Sequence, residues 1–162
     1  MITKQDLIDL YNWAKDIEFP CKTPPVVEGY CNKPIDYYWI KSVKKSTLIR
    51  EKLMTDRVRE IYHNDDILFS NYVIFYPGTI LKPHKDPDIL KYPYKRIQIP
   101  LKVPDKDKCY MEWIDKDEKI IWEEGQPQVC DVMNYMHQAF NKSDKSLEFL
   151  FVDVKSDTLV EL

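Results

Sequence analysis

Ile67-Leu-Phe-Ser-Asn-Tyr-Val-Ile-Phe-Tyr-Pro77-Gly78-Thr-Ile-Leu-Lys82 is where the chain changes texture. Upstream, apolar residues recur at helical steps. From Ile67 onward, short β-branched and aromatic runs are split by Pro, Gly and Asp. The spacing predicts strands over 67–76, 79–82, 95–103, 109–114, 119–122, 127–134 and 147–154. The segment from Trp113 to Trp122 reads as a hairpin around Asp115–Glu118. Seven short strands at close spacing predict a mostly β fold with flanking helices, a sandwich or barrel of the jelly-roll kind.

Upstream, residues 3–16 read as a helix. Thr3 can cap it, Asp6 lies near the positive end of its dipole, and Leu7, Leu10, Tyr11 and Ala14 form one apolar face. Residues 19–37 carry four prolines and Gly29 and read as irregular. Leu48, Ile49, Leu53, Met54, Val58 and Ile61 predict a second helix over 46–62, which His63 ends. Both helices are expected on the outside of one sheet, covering its apolar face. The whole chain, 1–162, reads as one domain: a helical and irregular part over 1–66 and a β core over 67–154.

The 162 residues are 44% hydrophobic and 13% aromatic, which excludes a disordered chain. A net charge of −3 weighs against non-specific nucleic-acid binding, and the cluster Lys41, Lys44, Lys45 reads as a solvated face. Apolar runs such as Leu147–Val154 fall far short of the ~18 residues that a membrane span needs. The first residues, with Asp6 among them, do not read as a signal peptide. Cys21, Cys31, Cys109 and Cys130 form no CxxC motif. A Cys21–Cys31 disulfide is open on sequence alone, but reduced thiols are expected in a soluble cytoplasmic protein.

Only three histidines occur: His63, His84 and His137. His84-Lys85-Asp86 is a His-x-Asp motif just beyond a strand. In extended chain, residues two apart point to the same side, so the imidazole and carboxylate can converge. His137 follows the strand predicted over 127–134, and in an antiparallel barrel that strand can lie beside the first. Two imidazoles and a carboxylate on one face of an ion, with the other face open, are the facial triad of non-haem Fe(II) oxygenases. One ion at ~2.1 Å per bond requires the two imidazoles to lie within about 8 Å of each other. The spacing alone also permits blander roles: a solvated turn for His84, an Asx-turn before Pro87 for Asp86, and a strand end for His137.

The surroundings sharpen the choice. Tyr76-Pro-Gly-Thr79 with Pro83-His84-x-Asp86 comes first, then Arg96 with Pro100-Leu101, then Trp122-Glu-Glu-Gly125, then His137 with Asn141, Ser143 and Asp144. This order resembles the aspartyl/asparaginyl β-hydroxylase family of Fe(II)/2-oxoglutarate-dependent oxygenases, over about 67–154. The resemblance implies a double-stranded β-helix, cupin-like, with His84, Asp86 and His137 as catalytic metal ligands. It places Arg96 toward the metal-proximal carboxylate of the 2-oxoglutarate cosubstrate, and Gln98 where better-known members have histidine. Ten residues after the second histidine the family has an arginine for the far carboxylate, and here that residue is Leu147. Lys145 is the expected replacement, with Lys142, Lys82, Lys102 and tyrosine hydroxyls as further candidates.

The implied reaction is hydroxylation of an unactivated C–H bond in an amino acid, peptide or protein, with no membrane partner and with oligomeric state left open. The Leu147 departure keeps two alternatives: a non-catalytic β-helix that binds a ligand or protein, and a cupin-like enzyme using its metal as a Lewis acid. Trp113 and Trp122 are expected to pack across their hairpin, Asn141 and Ser143 to build a turn, and Asp131 either to orient His137 or to sit on the surface.

Overall fold

The computed structural model describes residues 1–19, 29–42, 47–48, 51–88 and 92–162. Cys21, Lys44, Lys45, Ile49 and three of the four prolines of the irregular stretch lie outside these residues.

Helix α1, Lys4–Ala14, starts where the sequence places it. The Thr3 hydroxyl accepts from the Asp6 amide at 3.2 Å, and the Asp6 carboxylate accepts from the Thr3 amide at 2.9 Å. The second helix is shorter than the periodicity predicts: α2 spans Asp56–Tyr62, with Thr55 as its N-cap and His63 as its C-cap. The cap explains the correction, because Thr55, itself in extended backbone, accepts from the Val58 amide and so starts the helix there. Ahead of it, Leu48 lies in a short strand and Leu53 in a 3₁₀ turn, Glu51–Leu53. Arg57 of α2 ties the helices together through Asp6 and Asp9 of α1.

Ten strands follow in chain order: β1 Ile35–Ser42, β2 Thr47–Leu48, β3 Ile67–Phe75, β4 Ile80–His84, β5 Tyr94–Lys102, β6 Cys109–Trp113, β7 Glu118–Ile121, β8 Gln128–Cys130, β9 His137–Asn141 and β10 Leu147–Lys155. They form two antiparallel sheets, one ordered β2-β1-β3-β10-β5-β8 and the other β4-β9-β6-β7. This is the expected mostly β, cupin-like double-stranded β-helix. Strand β1 corrects the irregular reading of 19–37: it begins one residue after Pro34, where no ladder amide is lost. Strand β8 is short because Asp131 leaves the ladder to accept from Asn134 in a turn. That turn releases a separate strand, β9, which starts at His137 itself.

The large sheet is buried on both faces. Ile97, Ile99, Leu150 and Val152 pack against Leu7 and Leu10 of α1 and Val58 and Ile61 of α2. Phe75, Leu147, Phe149 and Phe151 face the small sheet, meeting Leu81, Met111 and Ala139. Burial on both faces explains why 147–154 lacks polar alternation. No described helix is long and apolar enough to cross a membrane.

Asn141 locks the sheets together at the closed end. Its Nδ2 donates to the carbonyls of Phe75, Tyr76 and Lys145 at 2.8–3.1 Å, and its Oδ1 accepts from the Ser143 amide and hydroxyl. The turn reading of Asn141 and Ser143 thus holds. Asn141→Ala strands buried carbonyls and is expected to destabilise the chain by about 2–4 kcal/mol, read from the urea midpoint. A loss below about 0.5 kcal/mol would show that the network is dispensable.

Candidate metal centre

Strands β4 and β9 are hydrogen-bonded neighbours, and His84 is the register partner of His137. The ring centroids lie 4.4 Å apart, well inside the reach of one ion. Each ring is turned by its own backbone. His84 Nδ1 lies 2.6 Å from the Lys82 carbonyl, and His137 Nδ1 lies 3.1 Å from the Tyr135 carbonyl. A carbonyl only accepts, so each Nδ1 carries a proton, which leaves each Nε2 as the nitrogen that can ligate a metal. Both Nε2 atoms face Asp86 Oδ1, at 3.4 Å from His84 and 3.3 Å from His137. Asp86 is held there by its amide, which donates to the Val132 carbonyl at 2.9 Å.

The donor set fits a first-row divalent ion. Bonds of about 2.0–2.2 Å at cis or tetrahedral angles separate ligand atoms by roughly 3.0–3.5 Å, and the two histidine–aspartate separations fall within that range. The three ligating atoms lie within 4.8 Å of one another and are the one such group to include two histidines among the described residues.

The second Asp86 oxygen accepts from Arg96 Nη1 at 2.6 Å. Nε and Nη2 of the same guanidinium donate to the two oxygens of Asp153 at 2.7 and 2.9 Å. Burial by itself would raise the Asp86 pKa. The Arg96 charge overcomes it and holds the carboxyl well below the usual carboxylate range. Asp86 therefore stays ionised.

Arg96, expected toward a cosubstrate carboxylate, pairs with Asp86 and Asp153 and lines the cavity. Sequence reasoning missed Asp153. Its signal is a lone acid inside the apolar run 147–154, on a strand that pairs with the strand carrying Arg96. Tyr30, stacked on His84 at 3.8 Å with planes 9° apart, was also missed, and nothing in its local sequence marks it. Gln98 does line the cavity, and its Oε1 accepts from the Trp122 indole at 2.9 Å.

Lys145 is not brought to the site: its side chain is exposed and its carbonyl serves the Asn141 turn. Lys82 is also exposed, Lys142 sits on the Tyr110 hydroxyl, and Lys102 pairs with Glu148. Asp131 holds Asn134, while His137 is oriented by the Tyr135 carbonyl. The tryptophans do not pack on each other across the hairpin; Trp113 meets His137 edge-on and Trp122 meets Phe149.

Beside the triad is a cavity of about 270 Å³, walled by aromatic side chains such as Tyr37, Trp39, Phe69 and Phe151. Polar groups enter it at only a few points, as in small-molecule sites generally.

Residues 51–157 match the family model described as aspartyl/asparaginyl beta-hydroxylase. No curated protein matches the chain. Among solved structures, a cupin-like protein from Thermotoga maritima superposes with a TM-score of 0.54 at 13% identity, covering 87% of this chain and 83% of its own. A protein from Photorhabdus luminescens gives 0.51 at 13% identity, covering 88% and 89%. At such identities the likeness is one of fold.

Proposed function

We propose that this chain, which belongs to the aspartyl/asparaginyl β-hydroxylase family, holds Fe(II) through His84, Asp86 and His137 and couples 2-oxoglutarate to hydroxylation of an amino-acid side chain, free or in a polypeptide. The observation that carries the reading is the convergence of two Nε2 lone pairs and one ionised carboxylate oxygen beside an aromatic cavity.

With Fe(II) and 2-oxoglutarate bound, the chemistry supplied is conversion of O₂, 2-oxoglutarate and a C–H bond into an alcohol, succinate and CO₂. The protein's own part is positional and electrostatic. The Lys82 and Tyr135 carbonyls fix both imidazole tautomers. Arg96 holds one Asp86 oxygen, so the other stays aimed at the imidazoles. Tyr30 and Trp113 limit how far the rings can swing. Aromatic side chains line the cavity beside the triad, where they favour an apolar occupant.

Leu147, buried where the family has an arginine, favours a second reading, a β-helix that binds a ligand without turnover. The deciding experiment incubates the chain aerobically with Fe(II), ascorbate, 2-oxoglutarate and a panel of amino acids and peptides. Succinate is expected to form, and to be lost in Asp86→Asn. Stoichiometric metal binding with no succinate across the panel, and no 2-oxoglutarate binding, would select the second reading.

A further inference from the structure

Resting on the 2-oxo-acid reading above, we propose that the tail of that acid is received in a subsite without an unpaired cation, built from the Asn71 and Gln98 side-chain amides, so that a terminal carboxamide is accepted at least as well as a terminal carboxylate.

The sheet register defines the subsite. Phe151 of β10 is flanked by Asn71 of β3 and Gln98 of β5. Two positions along β10, Asp153 is flanked by Phe69 and Arg96, the arginine that holds Asp86. Asn71 and Gln98 thus stand one inward-facing row from the triad's support, and both line the cavity that the triad opens into. Both side chains belong to residues only 4% exposed. Buried amides are normally satisfied, yet Asn71 Oδ1 has no hydrogen-bond partner. Gln98 spends its oxygen on the Trp122 indole, and its Nε2 meets only the Met111 sulfur, a weak acceptor at 3.8 Å. The cavity therefore offers an unused amide acceptor and an under-used amide donor. A primary carboxamide is the complement of that pair. Turned about its last torsion, Asn71 presents its NH₂ instead, and the two amides then donate to a carboxylate.

The charge census agrees. Among the described residues lining the cavity, Arg96 is the one cation, and its Nε, Nη1 and Nη2 are held by Asp86 and Asp153. Leu147, fully buried opposite Phe75, offers no polar atom. A carboxylate entering such a subsite gives up more hydration than a carboxamide and finds no opposite charge to compensate, so charge earns no preference.

The test uses the full chain loaded with Mn(II), without O₂, titrated calorimetrically with two inert analogues that differ only in the tail: N-oxalylglycine and N-oxalylglycinamide. N-oxalylglycinamide is expected to bind at least as tightly as N-oxalylglycine. Asn71→Leu and Gln98→Leu should each weaken both analogues about three- to tenfold, with Mn(II) affinity unchanged. Asn71→Asp keeps the shape and adds a negative charge. It should weaken N-oxalylglycine at least about tenfold more than the carboxamide. An N-oxalylglycine preference of about 100-fold or more in the unaltered chain would reveal a cation at the tail and overturn the proposal alone. Binding of neither analogue to the Mn(II)-loaded chain would overturn the 2-oxo-acid reading, and this proposal with it.

Discussion

Replacing His84 or His137 with alanine is expected to lower the affinity of the chain for Mn(II) by more than about 100-fold, because loss of an outer partner alone typically costs 10–100-fold. Each imidazole contributes one lone pair, and each is already aimed by a backbone carbonyl, so no neighbouring group can swing in to replace it. His63, the third histidine, caps α2 and lies outside the cavity. The measurement is a metal titration of each variant, with the urea midpoint confirming that the fold persists. Should alanine disturb the packing against Tyr30 or Trp113, His84→Gln and His137→Gln preserve bulk while weakening ligation. Stoichiometric Mn(II) binding by the double alanine variant would place the metal elsewhere and remove the basis of the functional reading.

Arg96→Met is expected to be the most damaging single change outside the triad, destabilising the metal-free chain by about 3–5 kcal/mol. The side chain is close in volume, so the loss is electrostatic: two mostly buried carboxylates, Asp86 and Asp153, lose their shared partner. Arg96→Lys should recover only part of that, because an ammonium cannot replace three N–H groups spread over two carboxylates. Removing Asp153 as well, as Arg96→Met with Asp153→Leu, should cost less than Arg96→Met alone, since one buried charge leaves with its partner. Urea unfolding decides the matter. A loss under about 1 kcal/mol for Arg96→Met would mean that water reaches both carboxylates.

What could be read in the sequence was what depends on near neighbours. The His84–Asp86 pair follows from the two-residue repeat of extended chain, and the capping of α1 from Thr3 and Asp6 standing three apart. The core strands from β3 to β10, except β9, followed from composition and punctuation, which local physics controls. What was missed depends on contacts across the fold. Strand β1 carries the mixed sequence Ile35-Asp-Tyr-Tyr-Trp-Ile-Lys-Ser42 after a proline-rich stretch, and is made a strand by pairing with β3. Tyr30 meets His84 only because its own carbonyl accepts from the Lys82 amide. Arg96 is instructive: motif position brings it to the site, but its partner Asp153 lies on the next strand and not in the motif.

The Asp86–Arg96–Asp153 cluster also sets an electroneutrality condition on whatever fills the cavity. Two carboxylates share one guanidinium, so these three groups together carry one surplus negative charge. A divalent ion converts that surplus to a single positive charge, and the carboxylate head of one chelating acid cancels it. An occupant with an uncharged tail then leaves the aromatic interior neutral. A second carboxylate would carry a net charge into it that only amide dipoles could stabilise.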